Sequence, residues 1–252
     1  IRDSLIHQGF TYFHASFWVG ANALLRYSAL EEIKEIDTER GYEIVRYVQD
    51  RTVIEDTEST IDLLTKNWEI YNYLENLAYS ATPPDFGSLV IQRRRWANGG
   101  LIIFPKLLNY FFRGPGAFSR RLTECFVRSH YLLSIAFVNI GLVVMMVYPF
   151  AGELHISWLI GIAVIYFAMY SRDLVQLGYR HGDILRVYTL NLLLIPINIG
   201  GVLKSLQQMI TKKKIPFGRT PKIADRVVAP SLYIFAEVVL VFYLLSGSAV
   251  DV

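Results

Sequence analysis

The chain has 252 residues, 53% hydrophobic, 14% aromatic and 19% charged, and a mean hydropathy of +0.32 excludes both a disordered chain and an ordinary soluble domain. Its +3 charge is unevenly spread: residues 1–120 carry 13 Lys/Arg and 15 Asp/Glu, residues 121–252 carry 12 and 7. One cysteine, Cys125, excludes a disulfide framework and a zinc site of several thiolates, and the small net charge with basic residues beside apolar runs excludes nucleic acid as a partner.

In chain order, residues 10–30 predict an aromatic-rich extended segment, a turn at Gly20–Asn22, then a short strand or helix. Glu31–Gln49 mixes charge with scattered apolar residues. Val53–Asp56 reads as a strand end, and Thr57–Lys66 has helical spacing with Ile61 and Leu64 on one face, broken at Asn67–Trp68. Ile70–Ala78 reads as extended or mixed, and Thr82-Pro83-Pro84-Asp85 as a turn. A helix is then expected from Phe86 through Trp96. Leu101–Phe112, apolar with one lysine, suits a helix lying at a membrane interface and ending at Gly114-Pro115-Gly116. These limits divide the chain into a soluble part (1–98), an interfacial helix (99–120) and a membrane part (121–252).

Four apolar stretches follow residue 120. Ser129–Gly152 is uncharged and exceeds the roughly 20 residues needed to cross about 30 Å of hydrocarbon. Leu154–Ser171 is shorter. Val187–Leu203 contains Asn191, Pro196 and Asn198, and Val227–Ser246 is interrupted by Glu237. The connection at Ala151–Glu153 has no Lys or Arg, whereas Arg172–Arg186 and Lys204–Arg226 are basic and belong on the cytoplasmic side. Both basic segments on one side leave no full crossing between them. Residues 183–210 are therefore expected as an interfacial or re-entrant helix kinked at Pro196, with spans over about 129–150, 154–171 and 227–246.

Three constellations carry chemistry. In Gln92-Arg93-Arg94-Arg95-Trp96, helical spacing puts Gln92, Arg95 and Trp96 on one face, where a guanidinium suits a diphosphate and an indole suits a sugar ring. Alone, the cluster reads equally as a basic anchor for anionic lipid. In Ile54-Glu55-Asp56-Thr57-Glu58, a carboxylate at a strand-to-helix junction is placed to take a proton from a hydroxyl. The competing reading is helix capping by Asp56 or Thr57. Lys212-Lys213-Lys214-Ile215-Pro216-Phe217-Gly218-Arg219-Thr220-Pro221-Lys222 is a cationic loop between membrane elements, suited either to cover an anion or simply to mark the inside.

These segments, in this order and flanked by apolar spans, resemble the processive membrane glycosyltransferases of family 2, the cellulose, chitin and hyaluronan synthase relatives. Gln92-Arg93-Arg94-Arg95-Trp96 matches Gln-x-x-Arg-Trp, and Glu55-Asp56 matches the end of Thr-Glu-Asp with Ile54 in place of threonine. Phe217 to Lys222 resembles the gating loop Phe-x-Val-Thr-x-Lys with Arg219 in place of valine. Phe17-Trp18-Val19-Gly20-Ala21-Asn22 is similar to the segment that lines the acceptor site.

The resemblance implies the C-terminal, acceptor-side portion of an α/β catalytic domain of GT-A type, followed by membrane α-helices. It implies inverting transfer from a UDP-sugar, UDP-glucose first, to a growing β-linked glycan, at a multi-pass inner (plasma) membrane enzyme with a cytoplasmic catalytic part, with accessory subunits as further partners. The alternatives are single addition to a lipid acceptor and a non-enzymatic membrane protein that binds anionic lipid. Asp56 would be the base and Glu55 its support. Trp96, Phe17, Trp18 and Gly20 would meet the acceptor, and Gln92, Arg95 and Arg94 would face the donor diphosphate. Phe217, Arg219, Thr220 and Lys222 would close over the nucleotide. It also implies Mg2+ or Mn2+, held by an Asp-x-Asp motif that residues 1–60 lack. The expectation is therefore that the donor half lies upstream of Ile1 and that these 252 residues alone perform no transfer. Glu237, mid-span, reads first as a packing group with a polar partner and second as part of a polymer channel, and Asn139, Asn191 and Asn198 suit contact with a translocating glycan or helix–helix hydrogen bonding equally well.

Overall fold

The computed structural model describes residues 7–20, 22–48, 52–73, 75, 81–147, 157–213, 220 and 227–250. In chain order these form α1 (His7–Tyr12), α2 (Tyr27–Ile33), β1 (Glu35–Glu39), β2 (Tyr42–Arg46), α3 (Glu55–Thr65), α4 (Phe86–Arg113), α5 (Phe118–Val147), α6 (Ser157–Gln176), α7 (His181–Leu193), α8 (Ile195–Thr211) and α9 (Ser231–Val250).

The expected α/β character is reduced, among the described residues, to one antiparallel hairpin in the register Glu35↔Arg46 to Glu39↔Tyr42. Its turn uses positive φ at Arg40 (54°) and Gly41 (85°), the twist that a two-residue hairpin connection requires. Arg46 crosses the ladder to Asp37 (2.6 Å) and to Glu39. Val53–Asp56 is not a strand end. The Thr52 N–H is diverted to the Glu58 carboxylate (3.0 Å) and Ile54 O accepts from Glu58 N (3.1 Å), so the ladder donors are used locally and α3 begins at Glu55. Residues 10–12, expected as extended, close α1, and the extended strip starts at Ala15.

Helix α4 is the hub. Asp85 caps it by accepting from Ser88 N (2.7 Å), and it runs unbroken for 28 residues through Asn98-Gly99-Gly100, where the sequence suggested two helices. The two glycines explain the continuity. The Ile54 side chain occupies the space a Gly99 Cβ would take, and the Leu132 carbonyl occupies that of Gly100. Both neighbours approach the helix only because no Cβ is there. Phe10, Phe17, Ile61, Ile103, Leu107 and Leu132 form the main core between α3, α4, α5 and the strip. Full burial of a Leu or Ile contributes roughly 1.5–3 kcal/mol.

Helix α5 returns antiparallel to α4 after the Gly114 cap, and α8 runs parallel to it, with Val90 beside Leu194 and Ile197 and Gly201 against Ala97. Helix α5 begins eleven residues before the expected span, where Arg120 binds Glu69 and Arg128 binds Ser16 and His14 of the soluble part, while Glu124, one turn from each, accepts from Tyr110 of α4. Among the described residues, one helix is long and apolar enough to cross a membrane, over Phe118–Val144. Helices α7 and α8 qualify only as a pair bent by 41° around Leu194, and Ser231–Tyr243 is apolar but shorter. Asn198 Nδ2 donates to Asn139 Oδ1 (3.2 Å), joining α8 to α5, while Asn191 is exposed. On α9, Glu237 is half-buried, and its Oε1 has no hydrogen-bond partner among the described residues.

Candidate active site

The site is built where the 15–20 strip crosses the start of α3. Asp56 lies in the first turn of α3, half-buried. It is not the cap: that position is Ile54, and no side chain caps the helix. Its carboxylate is therefore left to face the strip. Oδ2 accepts from Gly20 N (3.1 Å), and Oδ1 accepts from Thr57 N (2.7 Å) and from the Thr57 hydroxyl (3.3 Å). Gly20 is exposed, so the carboxylate sits at an opening. A Gly20 Cβ would stand 3.4 Å from Oδ2, in ordinary contact with the carboxylate. Glu55 is half-buried one position earlier.

The strip is anchored at several points. Trp18 N donates to Thr60 Oγ1 (3.2 Å), which itself donates to Asp56 O (2.9 Å). Phe17 turns inward: it is 3% exposed, with the Arg128 guanidinium 4.9 Å over its ring and Tyr131 at 4.9 Å. It supports the strip from beneath and offers no open face to a sugar. Trp18 packs on Ala29, Ile33 and Leu63.

The Gln92–Trp96 group lies on α4 with every member half-buried. Ile54, two residues before Asp56, rests on Gly99, three residues after Trp96, which brings the carboxylate and the indole onto neighbouring packed turns. Lys106 strengthens this junction by reaching from α4 to Asp62 (2.6 Å) and Glu58 (3.5 Å) of α3. Arg93 also turns toward this face. Its Cζ lies 5.0 Å over the Trp96 ring, an i,i+3 cation–π contact that covers one face and fixes the indole. Of the loop 211–226, Thr220 is buried, while Phe217, Arg219 and Lys222 lie outside the described residues. Asp85 Oδ2 accepts from Val227 N (3.1 Å), tying the residue just after that loop to the start of α4. An apolar hollow lined by Val143, Ile195, Ile199 and Leu240 takes no residue from α3 or α4 and has no part in this site.

A family model described as glycosyl transferase family group 2 matches residues 4–171, which hold the strip, Asp56 and the Gln92–Trp96 group. The chain belongs to this glycosyltransferase family. No curated protein and no solved structure matches it. As a family 2 glycosyltransferase it is an enzyme of glycosyl transfer with a GT-A-like fold, using a nucleotide-sugar donor and a glycan acceptor. The loop 211–226 lies beyond the matched residues.

Such enzymes commonly use a divalent metal. The residues present do not fit one: among the described residues no group of three or more His, Cys, Asp or Glu could hold a metal ion.

Sequence reasoning about this glycosyltransferase missed Arg128, Lys106 and Thr60. The partners of Arg128 lie 112 and 114 residues away. Behind it, Glu124 Oε2 accepts from Tyr110 OH (2.8 Å). Burial, with that carboxylate beside it, pushes the Tyr110 phenol above its ordinary value. Arg120 joins Glu124 to Glu69 (2.6 Å), whose carboxyl it holds below the ordinary range.

Proposed function

We propose that this enzyme is an inverting, processive glycosyltransferase that adds sugar from a UDP-sugar, UDP-glucose being the preferred candidate, to a growing β-linked polysaccharide and passes the product across the plasma membrane. Asp56 takes the proton of the acceptor hydroxyl as that oxygen attacks the anomeric carbon. The bond to the diphosphate breaks on the opposite face, UDP leaves, and configuration inverts. The observation that carries this reading is the meeting of Asp56 Oδ2 with Gly20 N, which sets a carboxylate at the exposed end of an aromatic strip. Trp96, steadied by Arg93, is the aromatic residue assigned to the acceptor sugar, and Gln92, Arg94 and Arg95 supply the amide and cations for the diphosphate. Processivity and translocation draw support from the helices beyond α4 and from the likeness of residues 217–222 to a gating loop.

Two experiments test the proposal. Screening UDP-sugars with the full-length enzyme in membranes, then analysing product length and linkage, should yield a long β-linked polymer. A single sugar on a lipid would overturn processivity. In the same assay Asp56→Asn should lower transfer about 10²–10⁴-fold while donor binding persists. Retained turnover would remove Asp56 as base.

A further inference from the structure

We propose that Arg128 is a positioning residue for sugar transfer, holding the Phe17–Gly20 strip against Asp56 by clamping the backbone carbonyls just before it. This rests on the reading of Asp56 and the strip as the acceptor site.

Arg128 is fully buried, in the first half of α5. Its Nη1 donates to Ser16 O (2.7 Å) and its Nη2 to His14 O (2.9 Å), while the guanidinium plane covers Phe17. Two fixed donors on two carbonyls use the planar fork that distinguishes arginine from lysine. The nearby carboxylate does not answer this charge by direct contact: Glu124 gives one oxygen to Arg120 Nε (2.6 Å) and the other to Tyr110. Nε of Arg128 has no hydrogen-bond partner among the described residues. A buried cation held by carbonyls and a ring is an expensive way to pack a core, and an apolar side chain would fill the same volume more favourably.

What the guanidinium does provide is geometry. His14 adopts a left-handed conformation (φ 53°) that turns the chain out of α1, and Arg128 binds the carbonyls on both sides of Ala15. The chain then runs directly to Trp18 N on Thr60 and Gly20 N on Asp56. Arg128 therefore holds one end of the strip while α3 holds the other. Removing it frees the strip to shift relative to the carboxylate, and displacement of about 1 Å at a reacting centre is enough to cost roughly 10²-fold in rate.

The test uses the full-length enzyme in membranes with UDP-glucose, or whichever UDP-sugar sustains wild-type turnover, and cellotetraose as added acceptor. Arg128→Met and Arg128→Lys should each raise the acceptor KM about tenfold or more, lower kcat/KM for the acceptor about 10²-fold, leave the donor KM within about twofold, and increase UDP release without polymer. Equal changes in both KM values, or wild-type behaviour in Arg128→Lys, would overturn the proposal. If Arg128→Met fails to accumulate, Arg128→Lys carries the test. If neither accumulates, the residue serves folding and the proposal fails. Asp56→Asn, assayed alongside, separates the two readings. Full turnover there defeats the acceptor-site reading itself. Loss of turnover there, with an unchanged KM ratio in the Arg128 variants, defeats only the role of Arg128.

Discussion

Ile54 shows how a departure from a motif is absorbed. Where the related pattern has threonine, this chain has a residue that is 8% exposed and lies over Gly99 of α4. Ile54 thus packs the junction that carries Asp56, while the carboxylate is held by Gly20 and Thr57. Ile54→Thr removes apolar volume from that contact and buries a hydroxyl. It should lower stability by about 1–2 kcal/mol with transfer largely kept, read by thermal unfolding in detergent and by turnover. A fall in turnover matching that of Asp56→Asn would show that Ile54 also orients the base. At this scale Asp56, Trp96 and Gln92 were legible because each belongs to a short run of fixed spacing. Arg128 was not, because nothing within ten residues of it marks a side chain whose partners are His14 and Ser16.

Among elements, α4 decides the arrangement, and its small residues decide how closely its neighbours approach. The Leu132 carbonyl of α5 occupies the space of a Gly100 Cβ, and a Gly201 Cβ on α8 would meet Ala97 Cβ at 2.6 Å and Arg94 O at 2.8 Å. Backbone cannot yield as a side-chain tip can. Gly100→Ala should therefore push α5 from α4 and destabilise by about 1–3 kcal/mol, whereas Gly141→Ala, whose Cβ meets nothing within 4 Å, should be neutral or slightly stabilising. The melting temperatures of the two variants check this, and equal effects would count against close α4–α5 packing. The start of α4 was legible from Pro83-Pro84-Asp85. Its length was not, because paired glycines normally end a helix and only the bodies pressed against them explain their presence inside one.

For the whole molecule, exposed apolar side chains gather on the helices after α4: Phe126, Phe137 and Val144 on α5, Ile165 and Phe167 on α6, and Leu232, Phe235 and Phe242 on α9. Surface of this kind needs lipid or a partner. The proposed membrane placement predicts that the protein pellets with membranes and resists alkaline carbonate, requiring detergent for release. Extraction by carbonate would overturn spanning and leave at most surface attachment. The sequence by itself determined the chemistry on offer, namely a carboxylate at a helix start, an Arg-Trp helix face and apolar runs of spanning length, because each is written in local spacing. Only the tertiary structure decided that Gly20 meets Asp56, that Phe17 faces inward and that Arg128 clamps the strip from α5. Those contacts join residues 36 to 114 positions apart, and local periodicity carries no information about which distant backbone groups a buried donor will find.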